Sequence, residues 1–156
     1  MTKKIVVCFD VEAVLDEKLR PKDMPKDQFP PPIMHKIVTI SICVAKRKRT
    51  EVGDVIGAAT VLTFRGNESE IIQQFSNLLT KYNPQLVGYN SRSYDMAVIT
   101  QRAMINGISL PTYFQSGDKW NSYKQRYSQD WHLDLMDVMS NYRASCVTKL
   151  DVAATS

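Results

Sequence analysis

Ile5-Val6-Val7-Cys8-Phe9 is a continuous apolar run, and Asp10-Val11-Glu12 closes it with two carboxylates two residues apart. An unbroken run of this kind suits a central strand buried on both faces. Strand side chains alternate, so Asp10 and Glu12 point to the same side. Two carboxylates held together repel unless a cation stands between them. Hard divalent ions such as Mg²⁺ or Mn²⁺ take carboxylate oxygens. The plainer alternative is that both are loop residues where the strand ends.

The rest of the chain sets the architecture around that strand. Residues 16–32 are polar and proline-rich and end in Phe29-Pro30-Pro31-Pro32, which reads as an ordered loop because proline lacks the ladder donor. A second strand is expected over about 36–45 and a third over about 57–64, forming an antiparallel hairpin. Lys46-Arg47-Lys48-Arg49 falls between them, either as a solvated hairpin tip or as a phosphate-contacting loop. Asn67 and Glu70 form a capping-box pattern, and Ile71, Phe75, Leu78 and Tyr82 recur at helical spacing until Asn83-Pro84 ends the helix. Leu86-Val87-Gly88-Tyr89 reads as a fourth strand. A second helix begins near Ser93 and closes at Gly107. Residues 109–130 form a long loop, residues 131–133 a short strand, residues 134–142 a helix, and residues 150–154 the first turns of another. A meander followed by strand–helix alternation predicts an α/β fold with a mixed five-stranded sheet and helices on its faces.

With 156 residues, one domain spanning 1–156 is expected. Hydrophobic residues at 44% and charged residues at 23% fit a water-soluble globular chain, and no apolar stretch is long enough to span a membrane. The N-terminal apolar run is too short for a signal peptide, so a cytoplasmic protein is expected. Three cysteines with no close pair argue against a disulfide framework or a zinc site. Cys8 and Cys43 are expected to be buried thiols. A net charge of +4 permits a polyanionic partner without requiring one.

Asp95 is the third candidate acid. It follows the turn Gly88-Tyr89-Asn90-Ser91-Arg92-Ser93-Tyr94, where Asn90 and Arg92 could hold a nucleotide. An acid in a first helical turn also favours the macrodipole, which is its structural explanation.

Phe9-Asp10-Val11-Glu12 followed by Gly88-Tyr89-Asn90 and Tyr94-Asp95 resembles the first two acidic motifs of DEDD-type exonucleases. The closer resemblance is to the predicted 3′–5′ exonucleases related to the proofreading domain of family B DNA polymerases. Phe29 to Val38, Gln101-Arg102-Ala103, Asn106-Gly107-Ile108 and His132-Leu133-Asp134-Leu135-Met136-Asp137 resemble further stretches of that group. The resemblance implies a ribonuclease-H-like fold and two-metal hydrolysis of phosphodiester bonds at single-stranded or frayed DNA or RNA 3′ ends. It implies two Mg²⁺ or Mn²⁺ ions on Asp10, Glu12 and Asp95, with Asp10 bridging them. Asn90 would place the terminal nucleotide, and Val11, Arg92 and Tyr94 are the other substrate-contact candidates.

The sequence departs from that pattern at its fourth acid. No Tyr-x-x-x-Asp occurs, and Lys149 to Ala154 resembles a stretch that comes before that motif. A C-terminally truncated domain is therefore expected, with an incomplete final helix and weak activity or none by itself. A homodimer or a partner chain would cover the gap. His132 and Asp137 form a His-x-x-x-x-Asp decoy for the missing motif. The competing class is a non-catalytic nucleic-acid-binding or interaction module on the same fold.

Overall fold

A computed structural model describes residues 3–155. Its elements are β1 (Ile5–Leu15), a 3-10 turn (Pro32–Met34), β2 (His35–Thr50), β3 (Gly53–Phe64), α1 (Glu68–Tyr82), β4 (Gln85–Gly88), α2 (Asp95–Ile105), α3 (Pro111–Gln115), β5 (His132–Asp134), α4 (Leu135–Met139) and α5 (Leu150–Thr155). The sheet has the order β3-β2-β1-β4-β5. β1, β2 and β3 are antiparallel neighbours, while β4 and β5 run parallel to β1. This is the mixed five-stranded α/β sheet that the order of elements predicts.

Helices cover the inner face. Val7, Phe9 and Val11 of β1 and Ile37, Ile40 and Ile42 of β2 pack with Ile71, Ile72, Phe75 and Leu79 of α1 and Met96, Val98 and Ile99 of α2 in one buried cluster. α1 begins as its sequence predicts. Asn67 accepts from the Glu70 N–H, and the Glu70 carboxylate accepts from the Asn67 N–H. Asn83 closes the helix in the left-handed region at φ 40°.

Several local expectations need correction. β1 does not stop at Asp10; it continues to Leu15 and buries one face only. Its second face carries Cys8, Asp10 and Glu12 into solvent, so Cys8 is exposed. Cys43, its register partner on β2, is half-buried. An apolar run cannot by itself distinguish a strand covered on both faces from one covered on a single face. The hairpin is also longer than expected. Lys46 to Arg49 belong to β2 rather than the tip, which is Glu51-Val52, because the polar residues keep pairing with β3. The 109–130 segment contains α3 and buries Tyr123 fully beneath Trp131 and Tyr113. The helix expected over 134–142 is shorter, at Leu135–Met139. No described helix is long and apolar enough to cross a membrane.

Candidate active site

The parallel register of β1, β4 and β5 decides what meets at one end of the sheet. Cys8 pairs with Val87, and Gly88 pairs with Asp134. Two residues past Cys8, Asp10 therefore stands level with the turn that leaves β4. That turn is tight from its first residue. A Cβ on Gly88 would lie 2.4 Å from the Ser91 side chain, so only glycine fits. Asn90 takes a left-handed conformation at φ 57° and accepts at its carbonyl from the N–H groups of Ser93 and Tyr94.

Asp134 clasps the turn from β5. One carboxylate oxygen accepts from the Asn90 N–H at 2.9 Å, and the other accepts from the Arg92 N–H at 2.9 Å. Asp134 also caps α4 by accepting from the Met136 N–H. One buried carboxylate thus fixes both the turn and the next helix. The sequence reading gave Asp134 no such role. Its only hint was an Asp directly before a helical pattern, which marks a cap and not a clasp 44 residues away.

Asp95 opens α2 with 4% of its surface exposed, and its Oδ1 accepts from the Val11 N–H at 2.9 Å. Burial pushes its pKa up to about 6; the Val11 hydrogen bond opposes the rise, and the charges of Asp10 and Asp134 add to it. Burial also raises the Tyr94 phenol, and the negative charges of Asp95, Glu12 and Asp10 raise it further, so all three acids act on one side chain. Tyr94 meets the Nδ1 of His35 at 2.9 Å, and His35 Nε2 donates to the Pro30 carbonyl at 3.0 Å. The exposed Phe29 ring packs on both, 5.1 Å from His35 and 6.2 Å from Tyr94. The proline-rich loop thus puts an aromatic edge beside the acids. Phe29 was not among the sequence candidates.

The remaining candidates divide. Val11 faces the core with 5% exposure, because the alternation that presents Asp10 and Glu12 turns Val11 inward. Its side chain packs in the core cluster. Arg92 is turned toward β5, where its guanidinium donates to the carbonyls of Tyr123 at 3.0 Å and His132 at 2.5 Å. The Oδ1 of Asn90 is buried and has no hydrogen-bond partner among the described residues. Among those residues, no three His, Cys, Asp or Glu side chains are grouped closely enough to hold a metal ion.

The decoy pair does not converge. The His132 Nε2 is 2.8 Å from the Ser91 Oγ inside the core, and burial followed by the Arg92 charge drives its pKa down to about 3. Asp137 is buried rather than solvated and takes a bidentate pair of bonds from Arg126, at 2.6 and 2.9 Å.

A family model described as a predicted 3′–5′ exonuclease related to the exonuclease domain of PolB matches residues 27–156. That stretch includes Asn90 and Asp95 and begins after Asp10 and Glu12. Among solved structures, the family B DNA polymerase of the hyperthermophilic archaeon Pyrobaculum calidifontis aligns over 97% of this chain and 18% of its own, with a TM-score of 0.59 and 20% identity. A zinc-bound complex of E. coli exonuclease I with single-stranded DNA aligns over 91% of this chain and 30% of its own, with a TM-score of 0.54 and 14% identity. Product-bound exonuclease I aligns over 91% and 32%, with a TM-score of 0.55 and 14% identity. At these identities the likeness is one of fold, the exonuclease form of the ribonuclease-H-like sheet. The chain spans between about a fifth and a third of the length of these proteins. No curated protein matches it by sequence.

Proposed function

Because this chain belongs to the family of predicted 3′–5′ exonucleases related to the exonuclease domain of PolB, we propose that it hydrolyses the terminal phosphodiester of a single-stranded or frayed 3′ end with divalent-metal help. The observation that carries this reading is Asp95. It is buried at the end of the sheet and held by the Val11 amide, and the charge of Asp10 helps push its pKa up to about 6. A carboxylate in that state gains most from a nearby cation. The side-chain Oδ1 of Asn90 on the adjoining turn, which has no partner among the described residues, supplies a further oxygen that awaits a donor.

The donor chemistry suits a hard divalent ion, Mg²⁺ or Mn²⁺, because the candidate ligands are carboxylate oxygens, which an ion would have to draw closer together. Asp10, Glu12 and Asp95 would hold it. When bound, such an ion supplies the positive charge that favours deprotonated water and stabilises a departing 3′ oxygen. The Val11 amide holds Asp95 Oδ1 in place at the end of the sheet. Asn90 would meet the terminal nucleotide through its side-chain Oδ1, and the Asp134 clasp holds the Asn90 backbone in place. Tyr94 and Phe29 offer ring faces for an unstacked base.

A second reading, a nucleic-acid-binding module without catalysis, draws on the lack of a preformed three-acid group among the described residues. One assay separates the two. The protein is mixed with a 5′-labelled single-stranded oligonucleotide and Mn²⁺, with Asp10→Ala alongside. The exonuclease reading expects a ladder shortening from the 3′ end that the substitution abolishes. Binding of the oligonucleotide with no shortening would overturn it in favour of the binding module.

A further inference from the structure

On the far side of the turn from the acids lies an open pocket of about 450 Å³. Arg92, Lys124, Arg126 and Arg143 line it, and Asp137 is the carboxylate among the lining residues. Arg126 already satisfies Asp137 with two short bonds. Arg143 stands 3.9 Å from the same carboxylate and donates to the Ser93 Oγ at 3.2 Å. Lys124 has no ion pair among the described residues. Arg92 meets neutral carbonyls, and its Nε is buried without a partner. Four cations thus line the pocket with one carboxylate, which Arg126 holds by two bonds and Arg143 meets at 3.9 Å, while the charge of Asp134 reaches Arg92 and Arg126 from outside the lining.

Such a surplus of charge is unfavourable until an anion enters. The guanidinium forks favour an oxyanion with several oxygens, which is the chemistry of a phosphate. The backbone around the pocket is unusual too. Asn141, Tyr142 and Arg143 are three consecutive left-handed residues, at φ 49°, 56° and 70°. The Tyr142 N–H donates to the Asp137 carbonyl and the Arg143 N–H donates to the Ser140 Oγ, which fixes Arg143 at the rim. A run of non-glycine residues in that region is costly, and its effect here is to present a cation.

We propose that this pocket is a second phosphate subsite, which binds a backbone phosphate of the single strand whose 3′ end lies at Asp10 and Asp95. This rests on the nuclease reading. Arg92 and Ser93 belong to the same turn as Asn90, so the turn separates the two sites by its own width. A strand running from the acids across the end of β4 toward β5 would pass Arg92 and Ser93, which border the pocket. The subsite would anchor the strand while its end is exposed to chemistry.

The test uses Lys124→Gln/Arg143→Gln, which leaves the Arg126–Asp137 pair intact, and Arg65→Gln/Lys81→Gln as a charge-matched control on exposed side chains elsewhere. Binding of a labelled single-stranded oligonucleotide is measured in EDTA across a salt series. The pocket variant should lose roughly five- to tenfold in affinity, and its slope of log K against log salt should fall by about 0.7 to 1.4, one or two phosphate contacts on a single strand. The control should change less. Equal losses in both variants, or none in the pocket variant, overturn the subsite. A parallel titration with inorganic pyrophosphate follows the amide resonances of Arg92 and Ser93. Saturable shifts that the pocket variant lacks support the pocket even if wild type binds no oligonucleotide, an outcome that instead rejects the nuclease reading. Absence of both signals in wild type rejects both.

Discussion

A carboxylate that accepts a backbone hydrogen bond ordinarily ionises more readily, yet Asp95 ionises less readily because burial outweighs the bond. Its folded-state pKa of about 6 lies above its ordinary 3.8, so the native form binds the extra proton in that window. Stability from this group is fully present below 3.8 and is lost as pH rises through about 6. Asp95→Asn keeps an acceptor for the Val11 amide and removes the charge. In EDTA at pH 8 it should stabilise the protein by about 1–2 kcal/mol, with the gain vanishing near pH 4. Denaturant titrations at the two pH values check this. His132 acts in the opposite direction. Its folded-state pKa of about 3 lies below its ordinary 6.5, so stability is present above 6.5 and is lost as pH falls. The loss should approach about 1 kcal/mol per pH unit. His132→Gln should flatten that acid limb even though it lowers stability at pH 7, as pH-dependent unfolding would show. The acid pair Asp10 and Glu12 was legible as a local spacing. The states of Asp95 and His132 were not, because burial is set by chain segments far away in sequence.

Between elements, one buried ion network ties the helix layer to the sheet. Arg102 of α2, with 3% exposure, makes two 2.7 Å bonds to Glu68 of α1 and further bonds to Asp16 and the Ile33 carbonyl. Glu68 also accepts from the Ile37 N–H of β2 and from Asn106. Every charge in it has a partner, so removing one member strands the rest. Arg102→Met should cost about 3–5 kcal/mol, read as a lower denaturant midpoint. The α1 cap was readable because Asn67 and Glu70 are three residues apart. The network was not readable, since Arg102 and Glu68 are 34 residues apart and nothing in either local pattern names the other. The Asp134 clasp was hidden in the same way. Helix and strand order could be read because periodicity is local, whereas the contacts that aim the site are products of the fold.

Across the whole molecule, packing is uneven. β1, β2 and the helices share the buried cluster, whereas β3 is exposed along almost its entire length, with Ile56 at 51% and Val61 at 72%. The sequence reading expected the hairpin, which is present, but carried nothing about the burial of β3. β3 also forms one edge of the sheet, so a row of its amides faces away from β2. Hydrogen exchange should show Val55 to Val61 opening with a free energy well below that of Val7 or Phe9. Equal protection in the two segments would contradict this.

The same unevenness gives the molecule an order of melting. Warming should first peel β3 and the outer end of β2 from the sheet, while the strand that carries Asp10 and the turn that carries Asn90 are still clamped beneath α1 and α2. Lys48 and Arg49 would leave with the hairpin, but the acids and their clasp would not. The protein would thus shed the edge of its sheet before it lost the arrangement of its active end.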